Sequence, residues 1–281
     1  ISYTEAHAAI MRRMEQRSEN FLRMMRRCVH ENPGSPYIPL LRAARCEYGD
    51  MVSMLKQHEL EFLLTSLRES GVWISLEEFK GRAPIIRNET SYPVKEADFD
   101  NPNLHGDLEF RTGGSTGSPS RLLIDLEFLA DRSVYEHLMF RVLDLNRVPL
   151  ALWYPKLPAS IGLSNCLRYA KIGSPPEHWF DMSLEGSALP AWHSWALSAI
   201  IGMSRFCAFP LPWPKAAPLS DPGSATARNV SAGQQHRHCA VQSNVSGIMR
   251  LCRAASLGGI DLRGVQFIAG SEPLTPSRHA E

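Results

Sequence analysis

Apolar residues at Ile10, Met14, Phe21, Met25 and Cys28 recur at helical intervals behind a Ser2–Glu5 pair with capping-box spacing. The pattern predicts a helix that runs until Asn32-Pro33-Gly34-Ser35-Pro36 breaks it. A second helix is predicted from about Asp50 to Ser70, with Met51, Leu55, Leu60, Phe62, Leu63 and Leu67 as its stripe and Gly71 as its C-terminal cap. Stripes of this kind are core, so residues 1–100 read as a helical N-terminal scaffold.

The rhythm changes after Asn101-Pro102-Asn103. Leu108–Thr112 and Arg121–Leu126 read as short strands around a glycine-rich loop, and Glu127–Leu143 as a helix carrying Phe128, Val134, Leu138 and Val142. Val148–Tyr154 reads as a buried strand ended by Pro155, residues 188–203 as a helix, and Arg205–Phe209 as extended. Pro210, Pro212, Pro214, Pro218 and Pro222 mark a connector. His238–Gln242, Val245–Ser256 and Val265–Ala269 then alternate strand, helix, strand. The fold class expected is α/β: the helical region 1–100, then a partial mixed-sheet nucleotide-binding domain over 101–281. Thr275 and Pro276 start a helix at Ser277, and the chain ends one turn later. A lone turn cannot stabilise itself, so the natural protein is expected to continue past Glu281. The missing initiator Met suggests that it also begins before Ile1.

Composition narrows the function classes. Thirty Lys and Arg against 29 Asp and Glu leave a net charge of +1, without the basic excess that nucleic-acid binding calls for. The longest apolar stretch, Ala188–Met203, is interrupted by Pro190, His193 and Ser194, so no membrane span is expected. No signal-peptide profile opens the chain. The six cysteines are scattered without a C-x-x-C pair and read as reduced thiols of a cytoplasmic protein.

Candidate chemistry concentrates in Thr112-Gly113-Gly114-Ser115-Thr116-Gly117-Ser118-Pro119. Its glycines permit positive φ, and successive N–H groups can cradle an anion. A flexible hairpin turn is the plain alternative. A Walker A loop is excluded, because the glycine spacing is wrong and no Gly-Lys follows. A serine-hydrolase elbow at Ser115 fits G-x-S-x-G literally but requires a strand-to-helix turn, whereas Pro119 and Leu122-Leu123-Ile124 predict a strand. That alternative stays open, as does a nucleotide-phosphate loop between two strands.

The segment Phe110–Pro119 resembles the phosphate loop of the adenylate-forming enzymes, a superfamily that includes acyl-CoA synthetases, luciferases and peptide-synthetase adenylation domains. Gly259–Thr275, with Gly270-Ser271-Glu272-Pro273-Leu274-Thr275, resembles the stretch leading to that superfamily's adenine-binding segment, in a form most similar to phenylacetate-CoA ligase. The order of the two motifs also fits. The resemblance implies ATP-dependent activation of a small carboxylic acid to an acyl-adenylate, then transfer to CoA as an acyl or aryl thioester, with Mg²⁺ on the phosphates. It implies phosphate binding by Thr112, Gly113, Gly114, Ser115, Thr116 and Gly117, and adenine binding by Gly270, Ser271, Glu272 and Pro273. Ser120 stands where many members carry Lys, with Arg111 or Arg121 as the nearest cations. The main catalytic residues of such enzymes would lie beyond Glu281, so a piece this long is expected to be inactive alone. Mere binding of nucleotide or a partner, without catalysis, is a further alternative.

Other features carry weaker chemistry. His236, His238 and Cys239 are possible metal ligands, but no second cluster completes a zinc site, and a surface loop is favoured. His178-Trp179-Phe180 and Trp192-His193-Ser194-Trp195 offer an aryl pocket or ordinary packing, with packing favoured. Arg12-Arg13 and Arg26-Arg27 read as a solvated helix face.

Overall fold

The computed structural model describes residues 1–104, 108–111, 121–183, 191–207, 209–223 and 239–277. The chain divides into two compact units, Ala8–Glu109, and Ile1–His7 with Phe110–Glu281.

Helix α1 (Tyr3–Glu15) opens with the expected capping box: Ser2 N donates to Glu5 Oε2 at 2.8 Å and Glu5 N to Ser2 Oγ at 3.2 Å. α2 (Arg17–Met24) runs into a π-helical turn, Met25–His30, followed by α3 (Tyr37–Ala43). The single helix expected near residues 50–70 is two, α4 (Tyr48–Gln57) and α5 (Leu60–Glu69), because His58 and Glu59 are extended. The break falls at Gln57-His58-Glu59, the polar gap in the apolar stripe, where leaving the helix sacrifices no burial. Met25, Val29, Leu41, Met51, Leu63 and Leu67 form the core of this unit. The helical expectation for the first hundred residues is also incomplete beyond α6 (Leu76–Phe79). Strands β1 (Ile85–Arg87) and β2 (Thr90–Tyr92) form a hairpin whose two-residue turn, Asn88-Glu89, has positive φ at both positions, the geometry that matches strand twist.

Strands β3 (Leu108–Arg111) and β4 (Arg121–Ile124) pair as a two-stranded sheet. α7 (Leu126–Val142) follows, capped by Asp125. A parallel five-stranded sheet is then built from β5 (Leu150–Trp153), α8 (Ile161–Lys171), β6 (His178–Asp181), α9 (Ala191–Ser204), β7 (Pro214–Ala216), β8 (Cys239–Asn244), α10 (Val245–Gly258) and β9 (Val265–Gly270). Its order is β7-β6-β5-β8-β9, and every neighbouring pair is parallel. Side chains alternate between two cores, as strand periodicity requires. Leu150, Leu152, Trp179 and Ala240 pack with Phe140, Cys166, Tyr169 and Ile201 from α7, α8 and α9. Ala151, Trp153, Phe180 and Val241 pack on the other face with Leu251 of α10. Arg205–Cys207, expected to be extended, is instead a turn prolonging α9: Arg205, Phe206 and Cys207 donate to carbonyls three residues back.

Candidate functional site

Strand order fixes where a ligand can enter a parallel sheet. β6 and β7 lie on one side of β5, and β8 and β9 on the other, so the order reverses between β5 and β8. At such a reversal the connections leaving the carboxyl ends diverge and open a crevice. Tyr154–Lys156 leave β5 there, Asn244 leads β8 into α10, and Ser271–Pro273 follow β9.

The turn after β9 is held by side chains. Gly270 is half-buried and pairs with Asn244, Ser271 adopts a left-handed φ of 65°, and the chain then folds back. Glu272 Oε2 accepts from Ser246 N at 2.9 Å and from the Ser246 hydroxyl. Asn244 Oδ1 accepts from Gly247 N at 2.7 Å. Both acceptors sit on the positive end of α10, where a carboxylate gains from the helix dipole. Only glycine fits at 247, since a Cβ would stand 2.6 Å from Asn244 Oδ1 and collide with Ser243 Oγ. Glu272 therefore fixes the turn, while Ser271 and Pro273 are exposed at the sheet edge.

Tyr154 backs this turn from inside. It is buried, and a Cβ built on Gly270 would lie 3.9 Å from its hydroxyl. Burial pushes its phenol up to about 12, against the nearby Arg168 charge and hydrogen bonds with Gln242 and Ser271. Tyr169 donates to Gln242 Oε1 at 2.5 Å, and its phenol is also raised by burial. Both phenols thus stay protonated at neutral pH. Deeper still, Arg168 Nε lies 2.9 Å from Glu136 Oε1, but off the hydrogen-bonding direction, so charge more than a directed bond holds the pair. Burial raises the Glu136 carboxyl against the pull of Arg168 and Arg132, and lowers the Arg168 guanidinium against the pull of Glu136. Arg168 also donates to Asn165 Oδ1.

A cation is anchored at the same edge of the sheet. Lys156 Nζ lies 3.0 Å from Asp181 Oδ2, and Lys156 N donates to Asp181 Oδ1 at 3.1 Å. Ser183 adds its amide at 3.0 Å and its hydroxyl at 2.5 Å. Burial alone would raise the Asp181 carboxyl, but the Ser183 and Lys156 donors outweigh it and hold it below the usual range.

Of the residues expected from sequence, Gly270, Ser271, Glu272 and Pro273 come together at the carboxyl edge. Thr112, Gly113, Gly114, Ser115, Thr116 and Gly117 lie outside the described residues; their flanks β3 and β4 pair with each other. His236 and His238 also lie outside, while Cys239 is buried at the start of β8. Among the described residues no group of three His, Cys, Asp or Glu could hold a metal. Trp179 and Phe180 are core residues of β6, whereas Trp192 and Trp195 stand exposed on α9. Sequence reasoning missed Tyr154, Lys156, Asp181 and Gln242. A tyrosine and a lysine just past a buried strand were the available signal, and only the strand order makes them neighbours of the crevice.

An ordered turn of exposed main-chain groups beside such a crevice can read a flat heterocycle, and the anchored ammonium can meet an anion. No family model, curated protein or solved structure matches the chain.

Proposed function

We propose that the chain carries the nucleotide-binding part of an adenylate-forming enzyme similar to phenylacetate-CoA ligase. The reaction is ATP-dependent activation of a carboxylic acid, ending as an acyl- or aryl-CoA thioester. One observation carries this: Gly270–Pro273, the segment resembling an adenine-binding motif, leaves the last strand of a parallel sheet at the edge where such sheets bind nucleotides.

In this chemistry a substrate carboxylate oxygen attacks the α-phosphorus of ATP. The bond from that phosphorus to the bridging oxygen breaks, and pyrophosphate leaves with the electron pair. CoA sulfur then attacks the acyl carbon, its thiol proton goes to solvent, and AMP leaves. The carboxylate is already a nucleophile, so the protein's work is positioning and charge neutralisation. Backbone N–H groups of Gly113–Gly117 and the Ser115 and Thr116 hydroxyls would hold the outer phosphates. The turn at Gly270–Pro273, fixed by Glu272 and backed by Tyr154, would seat the base. Lys156 would neutralise charge at the sheet edge.

Mg²⁺ usually binds such sites through nucleotide phosphates with few protein carboxylates. Asp181 is already committed to Lys156 and Ser183, so no step is assigned to the ion. The deciding assay is exchange of labelled pyrophosphate into ATP by the full-length natural protein, with a panel of carboxylic acids. Acid-dependent exchange is expected. Labelling of Ser115 by a fluorophosphonate, with no exchange for any acid, would contradict the proposal and favour a hydrolase.

A further inference from the structure

Helix α9 has no charged residue between Ala191 and Ser204. Leu197 and Ile201 bury one side of it in the sheet core. A helix this apolar and without charge is normally more fully enclosed. Here the opposite side stands in solvent: Trp192 is 63% exposed, Trp195 77%, Met203 60%, and Phe206, in the turn that prolongs the helix, 93%. Phe206 N donates to Met203 O at 2.9 Å, so the helical path continues to that residue. Positions 192, 195, 199, 203 and 206 therefore share one stripe. Small residues Ala199 and Gly202 lie between the large ones, and a Cβ added at Gly202 would meet nothing within 4 Å.

We propose that this stripe is where α9 packs on α9 of a second copy of the chain, antiparallel, across a twofold axis at Ala199. The sequence is its own complement about that residue. Antiparallel pairing sets Trp192 against Phe206, Trp195 against Met203, Ala196 against Gly202, and Ala199 against itself. Aromatic–aromatic and sulfur–aromatic contacts are favourable, and small residues at the crossing let the backbones approach. One patch meeting itself is the isologous contact of a twofold dimer. The four large side chains expose about 600 Å² per copy, from side-chain areas of roughly 150–250 Å² each. Pairing that buried these side chains completely would remove about 1,200 Å² in total, against the ~1,000 Å² that a stable interface needs. Helices that lie on anionic membranes carry several Lys and Arg on their polar face, whereas the path from Ala191 to Phe206 carries the single Arg205. Its neutral stripe likewise offers no steering to a strongly charged protein. This dimer contact stands independently of the nucleotide site.

The test is sedimentation of the full chain together with a cysteine placed on the axis. The unmodified chain should sediment as two copies, and Trp195→Glu with Met203→Glu should return it to one copy with unchanged circular dichroism. In a Cys207→Ser background, Ala199→Cys should oxidise to a covalent dimer with a 199–199 linkage, because only an axial residue meets its own copy within disulfide distance. The cross-link decides the matter even if the glutamate variant fails to fold. A one-copy mass at all concentrations, a dimer without the 199–199 linkage, or retention of monomer on neutral phospholipid vesicles would each overturn the proposal.

Discussion

Helices α8 and α9 lie against the same face of the sheet and invert the usual distribution of residue types. α8 buries Ser164, Asn165 and Arg168, whereas α9 leaves Trp192, Trp195 and Met203 in solvent. Polarity did not decide either outcome; partners did. Arg168 is tolerated inside because Glu136 and Asn165 meet it, and removing charges from water is otherwise prohibitive. Trp192 stacks on the ring of its neighbour His193, centroids 3.7 Å apart, yet it and Trp195 both remain exposed.

The contrast can be broken most forcefully at Arg168. Arg168→Met leaves Glu136 buried without its counter-charge and should cost about 3–5 kcal/mol in urea unfolding. Replacing both, as Arg168→Met with Glu136→Leu, should restore much of that loss. A single variant no less stable than the parent would show that the pair is not buried as described. A second disruption, at the start of α8, is steric. A Cβ at Gly162 would lie 2.5 and 2.7 Å from ring atoms of Trp179 and 2.8 Å from Pro155 O, so Gly162→Ala should lower stability by about 1–3 kcal/mol.

Smaller effects sharpen the account of the sheet edge. Glu272→Ala removes the second acceptor at the α10 N-terminus and leaves the Asn244 cap in place, a loss of about 1 kcal/mol, and hydrogen exchange of the Ser246 amide should accelerate. Unchanged exchange there would mean that the turn is held otherwise. Asp181 gives a pH signature. Its folded pKa is depressed, so its contribution is present above the ordinary carboxylate value and is lost as pH falls through the folded value. Asp181→Asn should therefore flatten the acid limb of the stability–pH curve. The smallest effect belongs to α9: Trp195→Ser should change the stability of the isolated chain by no more than about 0.5 kcal/mol. It should, however, abolish any dependence of the melting temperature on protein concentration.

β5, β8, α10 and β9 were legible in the sequence from their apolar runs, whereas α7 was legible as a helix with its stripe misplaced: Phe128 and Val142 are exposed, and Leu129, Ser133, Glu136 and Phe140 face inward. α8 was not, because Asn165 and Arg168 face inward and erase its stripe. β6 is only four residues long and lies close behind Pro175-Pro176. β7 begins at Pro214, which hides it within a proline-rich stretch but is tolerable on an edge strand. The same division holds for the site. Gly270–Pro273 announce themselves as a local string, whereas Tyr154–Gln242 and Ser246–Glu272 are contacts between elements distant in sequence. They arise from a strand order that no local pattern encodes.

The central claim is that ATP bridges the glycine-rich loop and the turn after β9. Hydrogen–deuterium exchange with and without ATP tests it most directly. Amides of Gly113–Gly117 and of Gly270–Glu272 should both slow with ATP, and Tyr154→Phe should weaken the second protection while sparing the first. Exchange unchanged in both segments at millimolar ATP would contradict the account.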